Sequence, residues 1–229
     1  MVDQEVKEIK TAGGDVYLGP HRDGLPNGTG KLVFANGNTY EGSFMNGKRQ
    51  GKGKLVMTNG QEYDGEWKKG LPHGIGKETT ATGDVYQGAF DEGKKQGAGK
   101  LIKKSGATYD GEWAAGLPHG HGVESLVDGP IFKGSYVEGT QHGLGKMTFP
   151  DGSSYEGQFD MGKRGTSGKL TTSEGDVYEG EFQGDERHGK GKLTISNGNI
   201  YEGSFVKGVP QGDGKQINTD GDVYEGNFV

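Results

Sequence analysis

The sequence predicts an all-β fold: an elongated single-layer antiparallel β-meander built from tandem 23-residue hairpins. Three observations predict it. Tyr17, Tyr40, Tyr63, Tyr86, Tyr109, Phe132, Tyr155, Tyr178, Tyr201 and Tyr224 each stand 23 residues from the next, with no insertion or deletion. Apolar residues alternate with polar ones at period 2, the strand period, around every ring of that ladder. Gly-containing turn dipeptides punctuate the same register. A strict period means one supersecondary unit repeated, so function belongs to the array rather than to a single residue.

With the ladder ring as position 0, each repeat reads as two strands. Gly holds +2 throughout, as in Gly42, Gly65 and Gly203. Position +4 is aromatic in all but one repeat, as Phe44, Trp67, Phe90, Trp113, Tyr136, Phe159, Phe182, Phe205 and Phe228, with His21 the exception. Rings at 0 and +4 share one face, and the Gly between them leaves bare backbone for a ring to cover. The second strand reads G-x-G-K-L, as at 51–55 and 189–193. Its +13, +15 and +17 positions alternate again (Gly53, Leu55, Met57). A tight hairpin turn is expected at +19/+20, as in Asn59-Gly60 and Asp151-Gly152, because Gly and Asn tolerate positive φ. The stretch from +6 to +12, with Gly at +7 and +11, is expected to be the looser connection. Two strands per repeat at ~4.8 Å spacing give a rod on the order of 90 Å.

The register divides the chain into an N-terminal tail at 1–6, a half-repeat at 7–16, nine full repeats at 17–223 and a half-repeat at 224–229. Half-repeats at both ends leave strand edges that pair readily. Pro20 and the charges at 5–10 blunt the first edge, so a homodimer through the C-terminal strand is expected at the other.

Composition narrows the function. The chain has 48 Gly among 229 residues and is 29% hydrophobic, too few for an ordinary globular core. There is no Cys, which removes disulfides and thiolate metal sites and fits a reducing, cytoplasmic setting. No apolar run is long enough for a membrane span, and residues 1–10 carry no secretory apolar core. A net charge of −6 argues against a nucleic-acid surface and against strong attraction to anionic lipid.

The pattern Y-E-G-x-F-x-x-G-x-x-x-G-x-G, seen closely at 40–44 and 201–205, resembles the MORN repeat (membrane occupation and recognition nexus) over essentially 7–229. The resemblance implies an elongated β scaffold without catalysis of its own. It implies roles in ciliary radial spokes and other axonemal or cortical cytoskeleton, or as carriers of motor and junctional proteins. Departures are local: His21, Phe132, Asp185 at the +7 Gly and Thr166 at the +11 Gly.

Two surfaces are candidates for binding. One is the ring face: Tyr40, Phe44, Tyr63, Trp67, Tyr86, Phe90, Tyr109, Trp113, Phe132, Tyr136, Tyr155, Phe159, Tyr178, Phe182, Tyr201 and Phe205. A single-layer sheet has no second layer to cover such rings, and aromatic residues are typical anchors for a partner helix or extended segment. The other is a set of basic loops: Lys48-Arg49 and Lys94-Lys95, which alternate with Leu25-Pro26, Leu71-Pro72 and Leu117-Pro118, and Lys163-Arg164, which reappears after that alternation has faded. These would suit acidic tails or phosphate groups. Lys at +14 and acids at +1 fall on the opposite face, where they read as solvated ion pairs.

No metal site is expected, since His73, His119, His142 and His188 share +10 on separate repeats and no Cys supplements them. The Gly-rich stretches lack a P-loop's G-K-[ST] ending. No catalytic residue and no cofactor is assigned. The sequence therefore reads as a non-enzymatic scaffold binding a protein partner through its ring face in a cytoskeletal or ciliary assembly. The alternative is a peripheral phosphoinositide- or phospholipid-binding module.

Overall fold

The computed structural model describes residues 3–229, with side chains from Glu8 onward. The described residues contain no helix. They form two compact bodies that divide between 117 and 118. The first holds β1 (Asp3–Lys10), β2 (Val16–Arg22), β3 (Leu25–Pro26), β4 (Gly28–Val33), β5 (Thr39–Met45), β6 (Lys48–Val56), β7 (Glu62–Lys68), β8 (Leu71–Thr79), β9 (Val85–Asp91), β10 (Lys94–Ile102) and β11 (Thr108–Ala114). The second holds β12 (Leu117–Ser125), β13 (Ile131–Val137), β14 (Thr140–Thr148), β15 (Ser154–Asp160), β16 (Lys163–Thr171), β17 (Val177–Gln183), β18 (Glu186–Thr194), β19 (Ile200–Val206), β20 (Val209–Ile217) and β21 (Val223–Phe228). Within each body successive strands pair antiparallel, giving the expected meander, except that β3 and β4 both pair with β2 as two pieces of one strand position. β1 begins at Asp3, inside the segment read as tail; residues 1 and 2 lie outside the described residues.

The two connections are exchanged relative to the sequence reading. The tight two-residue turn is at +6/+7, as Asn46 (φ 49°) and Gly47 (φ 76°) between the paired residues Met45 and Lys48. Two consecutive positive φ values give the turn a twist that matches the strands it joins. Position +6 is seldom Gly, which hid the turn: Lys69, Glu92, Ala115 and Met161 all take the left-handed conformation there. The Asn-Gly site at +19/+20 is instead the apex of a wider loop. Met57 N–H donates to Gln61 O at 2.8 Å, Gly60 N–H to Met57 O at 3.0 Å, and Asn59 Oδ1 accepts from Gln61 N–H at 3.0 Å.

The stretch from +8 to +12 is strand, not loop. β6 starts at Lys48 and carries a bulge: from Gly42↔Gly53 to Phe44↔Arg49, β5 advances two residues and β6 four. Gly51 (φ 73°) lies within that bulge. Thr166 at the equivalent place leaves the register intact, since Gly157↔Gly168 and Phe159↔Arg164 repeat it.

The core is the ring face itself. Tyr63 meets Trp67 of its own repeat edge-on at 5.0 Å and Phe90 of the next repeat at 5.0 Å, both at 88°. The same zigzag runs through the second body, as Tyr155 with Phe159 at 5.3 Å and with Phe182 at 5.4 Å. Edge-to-face pairs add about 0.5–1.5 kcal/mol each beyond the area they bury.

Candidate binding surfaces

Each ladder Tyr folds back along its own strand. The Tyr40 hydroxyl donates to Ser43 O at 3.1 Å and that of Tyr63 to Glu66 O at 2.9 Å. This lays the ring over two glycines that face each other across the hairpin: any Cβ on Gly53 would fall inside the Tyr40 ring. The ring covering each pair is therefore the repeat's own Tyr. The next repeat adds a bond to the same spot, where Trp67 Nε1–H donates to Gly53 O at 2.8 Å. Trp113 does the same to Gly99 O at 2.9 Å.

All sixteen rings expected to meet a partner are consequently buried, none more than 6% exposed. The expectation of an open aromatic face overlooked that glycine pairs let each ladder ring lie down on the backbone and meet its neighbours edge to face, so the single layer covers itself. Burial also raises the tyrosine hydroxyl pKa, to about 12 for Tyr40, Tyr63 and Tyr86, because the phenolate would be desolvated.

The basic pairs divide by strand parity. Lys48, Lys94 and Lys163 are exposed at the starts of β6, β10 and β16. Arg49, Lys95 and Arg164 instead turn onto the ring face. The Arg49 guanidinium lies 4.1 Å from the Trp67 ring centroid and Nη2 donates to Gly70 O at 2.7 Å; burial lowers its pKa. The Lys95 ammonium lies 4.9 Å from Tyr86 and pairs with Glu78 at 3.1 Å. Arg164 covers Tyr155 at 5.5 Å and pairs with Asp185 at 2.8 Å. These six residues are thus three surface cations and three ring caps, not basic loops. Arg187 is a fourth cap the sequence reading missed, 5.8 Å from Tyr178. The signal was available: +9 is Pro or a cation in every repeat but that of Gln141, and both suit the edge of a ring.

The opposite face is open. In most repeats Lys at +14 stands directly across from the acid at +1 of the next: Lys31–Glu41 at 2.6 Å, Lys169–Glu179 at 2.8 Å and Lys215–Glu225 at 2.7 Å. A second row, at +3 and +12, runs parallel on the far side of the glycines. Between the rows lies a trough floored by Gly backbone. In the second body it encloses about 1050 Å³, lined by Lys190, Lys192, Glu202, Asp213, Lys215 and Glu225 over Gly191, Gly203 and Gly214. In the first body a shorter stretch of about 320 Å³ is lined by Lys52, Asp64, Glu66, Ile75 and Lys77 over Gly65 and Gly76.

Of the repeated His, His73 pairs with Asp91 at 3.0 Å and His142 with Asp160 at 3.4 Å. Among the described residues no three His, Cys, Asp or Glu side chains are placed to hold a metal ion.

The MORN-repeat family model matches residues 22–39, 40–62, 63–85, 86–108, 109–130, 132–154, 155–177, 178–200 and 201–223. The chain belongs to the MORN-repeat family. MORN repeats are a non-enzymatic, scaffold type of repeat that mediates protein or membrane interactions. No helix of this MORN protein is long and apolar enough to cross a membrane. No curated protein sequence matches it. Among solved structures it is similar to the SAS-4 (dCPAP) TCP domain of Drosophila melanogaster, solved with a proline-rich motif of Ana2. That match has 9% identity and a TM-score of 0.44, over 76% of this chain and 88% of that one. It is also similar to the TCP10 domain of Danio rerio CPAP, as the E1021V mutant, with 14% identity and a TM-score of 0.29, over 97% and 99% of the two chains. At such TM-scores neither likeness bears on what the MORN array does.

Proposed function

We propose that this MORN array is a non-enzymatic scaffold that seats an elongated protein segment in the trough of its charged face, within a cytoplasmic cytoskeletal or ciliary assembly. The supporting observation is the trough itself. Its floor is glycine backbone, so a partner main chain approaches closely; one wall carries the Lys of +14 and the acids of +1, and the other is mixed, with charges such as Lys52, Glu66, Lys190 and Asp213 among uncharged residues such as Ile75. The ring face is a poorer candidate because its rings have almost no area left to bury. The assembly type rests on the resemblance to axonemal and cortical MORN proteins alone. A lipid-binding role is less favoured: Arg49, Lys95 and Arg164, half of the basic set a headgroup would use, are committed to ring faces.

Cross-linking mass spectrometry on the full chain in a ciliated-cell extract tests this. Cross-links from Lys190, Lys192 and Lys215 to a polypeptide partner are expected. Vesicle co-sedimentation that weakens with salt, with no polypeptide cross-link at the trough, would overturn it.

A further inference from the structure

One repeat breaks the pattern of the charged face. Elsewhere the +14 residue is Lys and stands across from an acid at +1 of the next repeat, or in one case (Lys77) from Gln87, but here Val123 stands across from Lys133. On its other side Lys133 faces Lys146, which pairs with Glu156 at 3.6 Å. Among the described residues no acidic group lies within ion-pair distance of Lys133. The same repeat breaks its wide loop. Where others carry Thr58-Asn59-Gly60 or Ser196-Asn197-Gly198, this one carries Leu126-Val127-Asp128-Gly129. Asp128 (φ 51°) takes the left-handed place, and the loop hydrogen bonds lengthen to 3.3 and 3.4 Å. The family model passes over residue 131 alone between 22 and 223.

The two departures meet. Ile131 lies two residues before Lys133 on β13, so both point to the charged face. Val123, Val127 and Ile131 are 37%, 54% and 46% exposed. Aliphatic side chains left in water beside an uncompensated cation suit a ligand that brings both an apolar group and a carboxylate.

We infer that Val123, Val127 and Ile131 around Lys133 form a docking surface for an acidic, apolar polypeptide segment. The partner's aliphatic side chain covers Val123 and Ile131, and its carboxylate gives Lys133 the ion pair that other repeats make internally. An anionic membrane is the poorer match, because stable electrostatic attachment takes a cluster of about 4–8 basic residues and this patch offers Lys133 and an already paired Lys146. The inference rests on reading the chain as a protein-binding scaffold.

The double variant Val123→Lys with Lys133→Glu restores the pattern of the other repeats and so preserves the fold. The probes are a short peptide of alternating Glu and Leu and its isostere of alternating Gln and Leu, followed by fluorescence anisotropy on the full chain. The wild type is expected to bind the Glu peptide about tenfold tighter than the Gln peptide, and the double variant to lose that tenfold preference. No binding by the wild type, equal affinity for the two peptides, or a preference kept by the double variant would each overturn the inference. Phosphatidylserine vesicles bound by the wild type and not by the double variant, without a peptide preference, would assign the patch to a membrane and overturn it as well. Trough cross-links to a partner that persist in the double variant after the peptide test has failed would remove this site and leave the scaffold standing. Their absence from the wild type would remove the scaffold itself.

Discussion

The Arg49 guanidinium rests 4.1 Å from the centre of the Trp67 indole, one repeat ahead of it, while its Nη2 holds the Gly70 carbonyl of that same repeat's turn. One side chain thus caps the ring core and ties two successive hairpins. Arg49→Ala is expected to destabilise the first body by about 1–2 kcal/mol, through lost cation–π contact and an unsatisfied carbonyl. Lys48→Ala, one residue away on the other face, should stay within ~0.5 kcal/mol. Urea denaturation of the two variants compares them directly; equal effects would contradict the division of labour.

Trp67 carries more. Its ring touches both Tyr40 and Tyr63, at 5.2 and 5.0 Å, and its N–H is bonded to Gly53 O. Trp67→Ala should cost about 3–5 kcal/mol, as buried aromatic truncations do. Any loss of partner binding should track that loss of folding, which circular dichroism and binding measured side by side will reveal.

The glycine pairs are predicted to be less replaceable than the turn glycines. A Cβ at Gly53 collides with the Tyr40 ring, which is itself pinned by Phe44 and Trp67, whereas a Cβ at Gly60 (φ 86°) meets nothing within 4 Å. Gly60→Ala should cost only the left-handed backbone penalty, about 1–2 kcal/mol. Gly53→Ala should cost more, and the order of the two denaturation midpoints decides the matter.

Alkaline pH should unfold the protein through its rings. Tyr40, Tyr63 and Tyr86 titrate near 12 when folded, against a usual 10.0. A folded pKa above the unfolded one means this contribution is complete below pH 10 and is lost as pH rises toward 12. Tyrosinate absorbance followed against pH should lag that of the urea-unfolded chain and rise together with loss of the β spectrum.

A cap between repeats offers a finer test. Asp84 Oδ1 accepts from the Lys104 N–H at 2.8 Å, tying the wide loop of one repeat to that of the next. Asn38 does the same for Thr58 at 3.1 Å, and Asp176 for Ser196 at 2.9 Å. Asp84→Ala should speed hydrogen exchange at Lys104 and cost about 1 kcal/mol, while Asp84→Asn should retain most of the protection.

The period and its two strands were readable because rings at 0 and +4 with Gly at +2 can hardly satisfy anything but a strand face. The tight turn was not, because tertiary pairing of residues such as Met45 and Lys48 forces Asn46, Lys69 or Ala115 into a left-handed conformation that composition does not advertise. Ring burial was hidden for a related reason. Whether Tyr40 stands up from the sheet or lies down on Gly53 depends on a hydroxyl bond to Ser43 O, and period 2 is silent on it. The bulge at Gly51 then decided the faces of Lys48 and Arg49, which adjacent positions in a supposed loop could not.

The ring zigzag has a consequence for how such a chain can change length. Tyr63 holds its own Trp67 and the following Phe90 at the same distance and the same angle. A sequence repeat therefore has no seam where it meets the next. Excising one whole period within a body, started at any phase, rejoins surfaces that already fit, whereas excising half a period sets a ring against a strand built to receive one from the other side. Growth and shrinkage of the array by recombination are thus quantised by the period and indifferent to where the crossover falls.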